Sequence, residues 1–303
     1  MNMMLNMGIA DAYGFGFEYA PADFVAKHND GETFAKNPKW PDHIPGHYSD
    51  DTQMSIALAE YLLSGAAPNT TQLACKFVSV FKRDPRAGYA GSFYKLIQEV
   101  RDGYELVDRL VPMSDKSGGA MRAAPCGLLP TFQEARDVAM WQASVTHATM
   151  DGMHAAVGAA LMVWWGRRLT DVDKLPTMLS ETCGFLHKWD VAWTGPVGAK
   201  GLDAVHAAFT SIVGSNGTLS DILKRSVAWT GDVDTVAAIA MAAASVMPCI
   251  KQDLPDTLYR NLEGGKYGWR YLKALDAKLE KAFPIPVKKP AKSDLITDLF
   301  DEA

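Results

Sequence analysis

Thr235-Val236-Ala237-Ala238-Ile239-Ala240-Met241-Ala242-Ala243-Ala244-Ser245-Val246 is apolar or small at nearly every position. It reads as a helix whose side chains are short enough for other helices to approach closely, which suits the centre of a bundle. A second stretch of this kind, Ala155-Ala156-Val157-Gly158-Ala159-Ala160, lies inside a helical pattern over 151–166. Outward from these two, apolar residues recur at helical spacing over 54–63, 73–81, 93–102, 131–146, 202–213, 219–228, 254–262 and 269–283. No alternating run of β-branched residues bounded by hairpin turns appears, so little is left from which to build a sheet. The expected class is all-α.

The chain has 303 residues, 48% of them hydrophobic, which is ample for a substantial core. One domain over 1–283 is expected, then a tail over 284–303, because Pro284-Ile285-Pro286-Val287-Lys288-Lys289-Pro290 cannot be helical. Within that tail, 294–300 reads as a docking helix or a disordered end. The 30 basic and 35 acidic residues are intermixed and give a net charge of −5, so no basic stripe marks a surface for bulk nucleic acid. Cys75, Cys126, Cys183 and Cys249 form no CxxC pair, which argues against a zinc knuckle or redox motif and fits a reducing cytoplasm. The opening MNMMLNMGIADAYGF has no basic n-region and is interrupted by Asp11, so no export is expected. The longest apolar stretches, 155–165 and 236–250, fall short of the roughly 20 residues that span a bilayer. A cytoplasmic monomer without a membrane partner is expected.

Two acidic clusters carry the chemistry. In Tyr48-Ser49-Asp50-Asp51-Thr52, oxygen-bearing side chains stand just before an apolar helix, whose N-terminus tolerates negative charge. In Gly231-Asp232-Val233-Asp234-Thr235, two carboxylates are two residues apart, and an extended turn would point both the same way before the alanine-rich helix begins. Either cluster alone can be read as a helix cap. Together they precede helices that must be buried, and burying four carboxylates without cations is prohibitive. Oxygen ligands without Cys or His select hard cations, Mg²⁺ or Mn²⁺ over Zn²⁺.

With these clusters the chain resembles the ADP-ribosylglycohydrolases, including the dinitrogen reductase-activating glycohydrolases. The resemblance covers most of the chain. It rests on Asp11-Ala12-Tyr13-Gly14-Phe15-Gly16-Phe17-Glu18, the Ser49 cluster, Asp84-Pro85-Arg86-Ala87-Gly88-Tyr89, Ser117-Gly118-Gly119-Ala120-Met121-Arg122-Ala123-Ala124-Pro125, Thr146-His147-Ala148 and the Asp232 cluster, in the family's order.

The resemblance implies a compact orthogonal multi-helix bundle holding two divalent cations, Mg²⁺ or Mn²⁺, on Ser49, Asp50, Asp51, Asp232, Asp234 and Thr235. It further implies Glu18 as a catalytic acid beside the metals, with Asp51 and Asp232 also required for catalysis. Ser49 stands where the family more often has threonine and keeps the hydroxyl. The Ser117-Gly118-Gly119 loop is expected to admit a diphosphate, since residues without Cβ adopt positive φ and let backbone N–H groups come near. Lys116 and Ser117 depart from the glycine and asparagine usual there. His147 is expected near the ligand, Arg122 as an anchor of the loop, and Tyr89 in the adenosine or ribose pocket. The implied activity is hydrolysis of the glycosidic bond between ADP-ribose and an acceptor, a modified protein side chain or a small molecule. O-acyl-ADP-ribose, nucleic-acid-linked ADP-ribose and a role as an inactive ADP-ribose binder remain open alternatives.

Overall fold

The computed structural model describes residues 1–284; the expected tail from 285 on, including 294–300, lies outside the described residues. Fifteen α-helices and no strands occur among the described residues: α1 (Met3–Phe15), α2 (Ala22–His28), α3 (Asp50–Leu63), α4 (Thr70–Arg83), α5 (Gly91–Glu99), α6 (Gly103–Arg109), α7 (Gly118–Met121), α8 (Phe132–Ser144), α9 (Met150–Gly166), α10 (Leu175–Thr182), α11 (Gly201–Val213), α12 (Leu219–Ala228), α13 (Val233–Ala244), α14 (Asp256–Asn261) and α15 (Trp269–Ala282). No helix among them is long and apolar enough to cross a membrane.

Polar side chains cap six of these helices at their starts. Side chains of Asn69, Asp102, Thr149 and Thr218 accept from the backbone one turn in, capping α4, α6, α9 and α12. Thr131 and Glu134 close a reciprocal capping box on α8. Asp102, placed by spacing at the end of one helix, instead caps the next. α5 has already ended at Glu99, because Val100 is extended.

The alanine-rich α13 is buried along its whole length, with α1, α9, α11 and α12 against it. α1 lies so close that a Cβ on Gly14 would stand 2.5 Å from the Asp234 Cα. α15 packs on α1 and α3, and α4 packs on α3. The N-terminal ends of α3 and α13 and the C-terminal end of α1 thus meet in one region.

Candidate active site

α3 begins four residues earlier than the apolar spacing indicates. Ser49 is its extended N-cap, its hydroxyl accepting from Asp51 N at 3.3 Å, so Asp50 and Asp51 stand inside the first turn. α13 likewise starts at Val233, with Asp232 as N-cap and Asp234 in the first turn, where an extended pair had been expected. Both acids therefore sit where the helix dipole favours negative charge.

Backbone fit fixes each end. Gly231 (φ 92°) leaves no room for a Cβ against the Val197 carbonyl, and Asp232 N donates to that carbonyl at 3.0 Å. Gly88 (φ 105°) leaves none against the Asp50 carboxylate, while Asp50 N donates to Ala87 O at 3.0 Å. Glu18 lies in the turn after α1, and Tyr19 N ties that turn to Gly231 O at 2.8 Å.

Carboxylate oxygens of Glu18, Asp232 and Asp234 all lie within 4.8 Å of one another. The Thr235 hydroxyl lies against the Asp51 carboxylate and joins α13 to α3. Asp11, Glu18, Asp50, Asp51, Asp232 and Asp234 are all buried. Burial, then neighbouring carboxylates, pushes Asp50, Asp51 and Asp234 well above the ordinary range and Glu18 up to about 8. Asp232 rises to about 6 through burial, opposed by the Ser117, Asp234 and Thr235 side chains. Glu18 Oε2, Asp51 Oδ1, Asp232 Oδ2 and Asp234 Oδ1 are buried without a hydrogen-bond partner. The three from Glu18, Asp232 and Asp234 belong to carboxylates close enough to share one hard cation, and Asp51 adds a fourth unpaired oxygen at the cavity, since unpaired buried charge is otherwise too costly.

These acids form the floor of a cavity of about 640 Å³, also lined by Tyr89, Lys116, Ser117, Gly118, Arg122 and His147. Ser49 and Gly119 are buried behind it. Gly118 and Gly119 belong to the single turn α7 and have no left-handed φ, so the expectation of a positive-φ loop is corrected. Glycine is needed at 118 for space: a Cβ there would stand 2.7 Å from His147 Cε1. Ser117 reaches Asp232 because Ser117 N donates to Ala199 O at 3.0 Å, on the segment whose Val197 holds Asp232.

Arg122, fully enclosed, donates to Gly118 O at 2.8 Å, Gln142 Oε1 at 2.7 Å and Thr146 Oγ1 at 2.7 Å, bracing α7 against α8. Thr146 Oγ1 also meets His147 Nδ1 at 2.6 Å. Burial, then the Arg122 charge, pulls His147 down to about 3, so its imidazole is neutral. Tyr89 lines the cavity with little exposure; its hydroxyl donates to Gln53 Oε1 at 2.7 Å and its ring stacks on Tyr94 at 6.2 Å.

Asp11 escaped the sequence reading as a site residue. It accepts from Ser49 N (2.9 Å), Thr52 N (2.9 Å) and Thr52 Oγ1 (2.6 Å), so the whole N-terminus of α3 hangs on it. A carboxylate amid Met, Ile and Ala in an apolar helix was the available signal.

The family model for ADP-ribosylglycohydrolase matches residues 2–284. ADP-ribosylhydrolase ARH3 of Mus musculus is 30% identical over 183 residues, covering 58% of this chain and 49% of the relative. The Homo sapiens ADP-ribosylhydrolase ARH3 is 34% identical over 125 residues, 39% of this chain and 34% of the relative. The chain thus matches about half or less of the length of these curated relatives. A solved structure described as an ADP-ribosylglycohydrolase-related protein complex superposes with a TM-score of 0.68 at 18% identity, covering 92% of this chain and 96% of the other, a likeness of fold. With all but one of the described residues matched, the chain belongs to the ADP-ribosylglycohydrolase family.

Proposed function

We propose that the chain hydrolyses the glycosidic bond between ADP-ribose and a modified protein side chain. In this reading two divalent cations, Mg²⁺ or Mn²⁺, bind through Ser49, Asp50, Asp51, Asp232, Asp234 and Thr235. The observation that carries it is the convergence of buried carboxylates from three helices, with unpaired oxygens facing a ligand-sized cavity. Asp51, Asp232 and Asp234 each present such an oxygen, which fits the donor set a hard cation needs. The Ser49 hydroxyl already caps α3 and would have to serve both purposes.

When bound, the cations would polarise and orient the hydroxyls of the distal ribose. The protein's own groups do the rest. Ser117 and Gly118 line the side of the cavity that takes the diphosphate, and neutral His147 and Tyr89 border the nucleoside. Glu18, which cations offsetting the neighbouring carboxylates would keep ionised, takes a proton from water as the water adds to the anomeric carbon and the bond to the acceptor breaks. It then gives that proton to the departing acceptor. Asp51 and Asp232 hold the floor against which the sugar is oriented.

Glu18→Gln should leave ADP-ribose binding by calorimetry within about twofold and lower turnover by about 10²–10⁴, the usual worth of a positioned acid or base. Unchanged turnover would remove Glu18 from the chemistry. A panel of arginine-, serine-, O-acyl- and nucleic-acid-linked ADP-ribose identifies the acceptor. Binding of ADP-ribose with hydrolysis of none of them would make the chain a binding protein.

A further inference from the structure

Glu18 stands on a turn that does not hold itself together. Phe17 N donates to Gly14 O and Ala20 N to Phe17 O, but Tyr19 is forced to φ 49°, a conformation costly for a bulky L residue. Such a turn persists only where its surroundings over-determine it. One tie is Tyr19 N to Gly231 O at 2.8 Å. The other is Asn37, which is buried and whose Nδ2 donates both to Phe15 O at 2.7 Å and to Glu18 O at 3.0 Å, bridging the turn.

Asn37 is itself fixed within a small closed loop, residues 36–43. Its Oδ1 accepts from Lys39 N at 2.8 Å, and its N donates to His43 Nδ1 at 3.2 Å. The Lys36 ammonium closes the base of the loop on the carbonyls of Pro41 and His43. His43 packs edge-on against Phe15, the last residue of α1, with ring centroids 4.8 Å apart. At the tip, Trp40 is 44% exposed and lines the cavity beside Glu18, where its side chain favours the ionised carboxylate. The loop therefore holds Glu18 at its carbonyl through Asn37 and sets Trp40 beside its side chain.

We propose that Asn37 and Trp40 are positioning residues for Glu18: the 36–43 loop clamps the strained turn and sets where the carboxylate stands, governing the chemical step more than ligand or cation affinity. This rests on the role given to Glu18 above. Asn37 does not line the cavity, so it has no direct hold on substrate.

The test uses the full chain with Asn37→Asp, which keeps shape but removes both donors, Asn37→Ala, and Trp40→Phe, which keeps an aromatic ring but removes the indole N–H. Asn37→Asp should lower kcat by at least about tenfold, as small misplacements of a catalytic group do, with KM and the Mn²⁺ Kd within about threefold. Trp40→Phe should lower kcat severalfold in the same pattern. In a Glu18→Gln background neither should cost more, since residues acting through one group are not additive. Amide hydrogen exchange at Tyr19 should quicken by at least about tenfold in Asn37→Ala, the tie to Gly231 having been loosened. Losses that multiply with Glu18→Gln, or unaltered exchange at Tyr19, would overturn the proposal. Absence of turnover in the wild type would overturn the hydrolase reading alone, and the exchange measurement would still decide whether Asn37 holds the turn.

Discussion

Asp11 is the residue from which the acidic end of α3 hangs. Its carboxylate accepts from two backbone N–H groups and one hydroxyl, and each donor lies next to or inside the Ser49–Thr52 cluster. Asp11→Asn keeps the volume but cannot accept from all three donors, so it should cost about 1–3 kcal/mol of stability. It should also weaken Mn²⁺ binding about 10–100-fold, as loss of a supporting partner of metal ligands does. Chemical denaturation and Mn²⁺ titration check the two parts, and an unmoved Mn²⁺ Kd would detach Asp11 from the site. At this scale the sequence was readable where acids come in pairs: Asp50-Asp51 and Asp232-Val233-Asp234 announce themselves beside buried helices. Asp11 and Asn37 do not, because each is a single polar residue that joins its own segment to another, and no local pattern records a tertiary hydrogen bond.

Among the helices, α4, α11, α12 and α15 were readable because each shows one face to solvent and repeats its apolar residues accordingly. α1 was not, because every residue from Met3 to Phe15 is buried and an all-round apolar helix has no stripe to detect. α13 was found by its alanines, but its start was misplaced because Asp232 and Asp234 look like a turn and act as a cap and first turn. The site depends on how closely these two helices approach. A Cβ on Gly14 would meet backbone of α13, Asp234 Cα at 2.5 Å and Val233 O at 2.8 Å, neither of which can swing aside. Gly14→Ala should therefore cost about 1–3 kcal/mol by urea unfolding, the usual price of overpacking, and should reduce turnover by displacing Asp234. Wild-type stability in that variant would mean that α1 and α13 have slack the geometry does not reveal.

Over the whole molecule, the N-terminus of α1 is tied to α15 by Asp276, which accepts from Met4 N at 2.9 Å and Leu5 N at 3.0 Å. Burial pushes its carboxyl from 3.8 up to about 7, against the pull of those two N–H donors. The folded protein thus holds this proton more tightly than the unfolded chain does, so the contribution is full below the unfolded value and is lost as pH rises through the folded one. The wild-type melting temperature relative to Asp276→Asn should fall between pH 4.5 and 7.5; a flat difference would show that Asp276 does not titrate in this window. The all-α class and the family were legible in the chain, from helical spacing and from six ordered motifs. Which residues brace them was not, since that depends on contacts between separate segments, from Asn37 with Glu18 to Met4 with Asp276 at the two ends of the domain.

In the proposed function, the carboxylates joined by α1, α3 and α13 act by holding divalent cations at an ADP-ribosyl bond. The most direct measurement is release of ADP-ribose from modified peptides by the wild type and Asp232→Asn, in excess chelator and after adding back Mg²⁺ or Mn²⁺. We expect wild-type release to stop in chelator and to return with the cation, and Asp232→Asn to stay inactive throughout. Wild-type release that persists in excess chelator would exclude a role for divalent cations in the reaction.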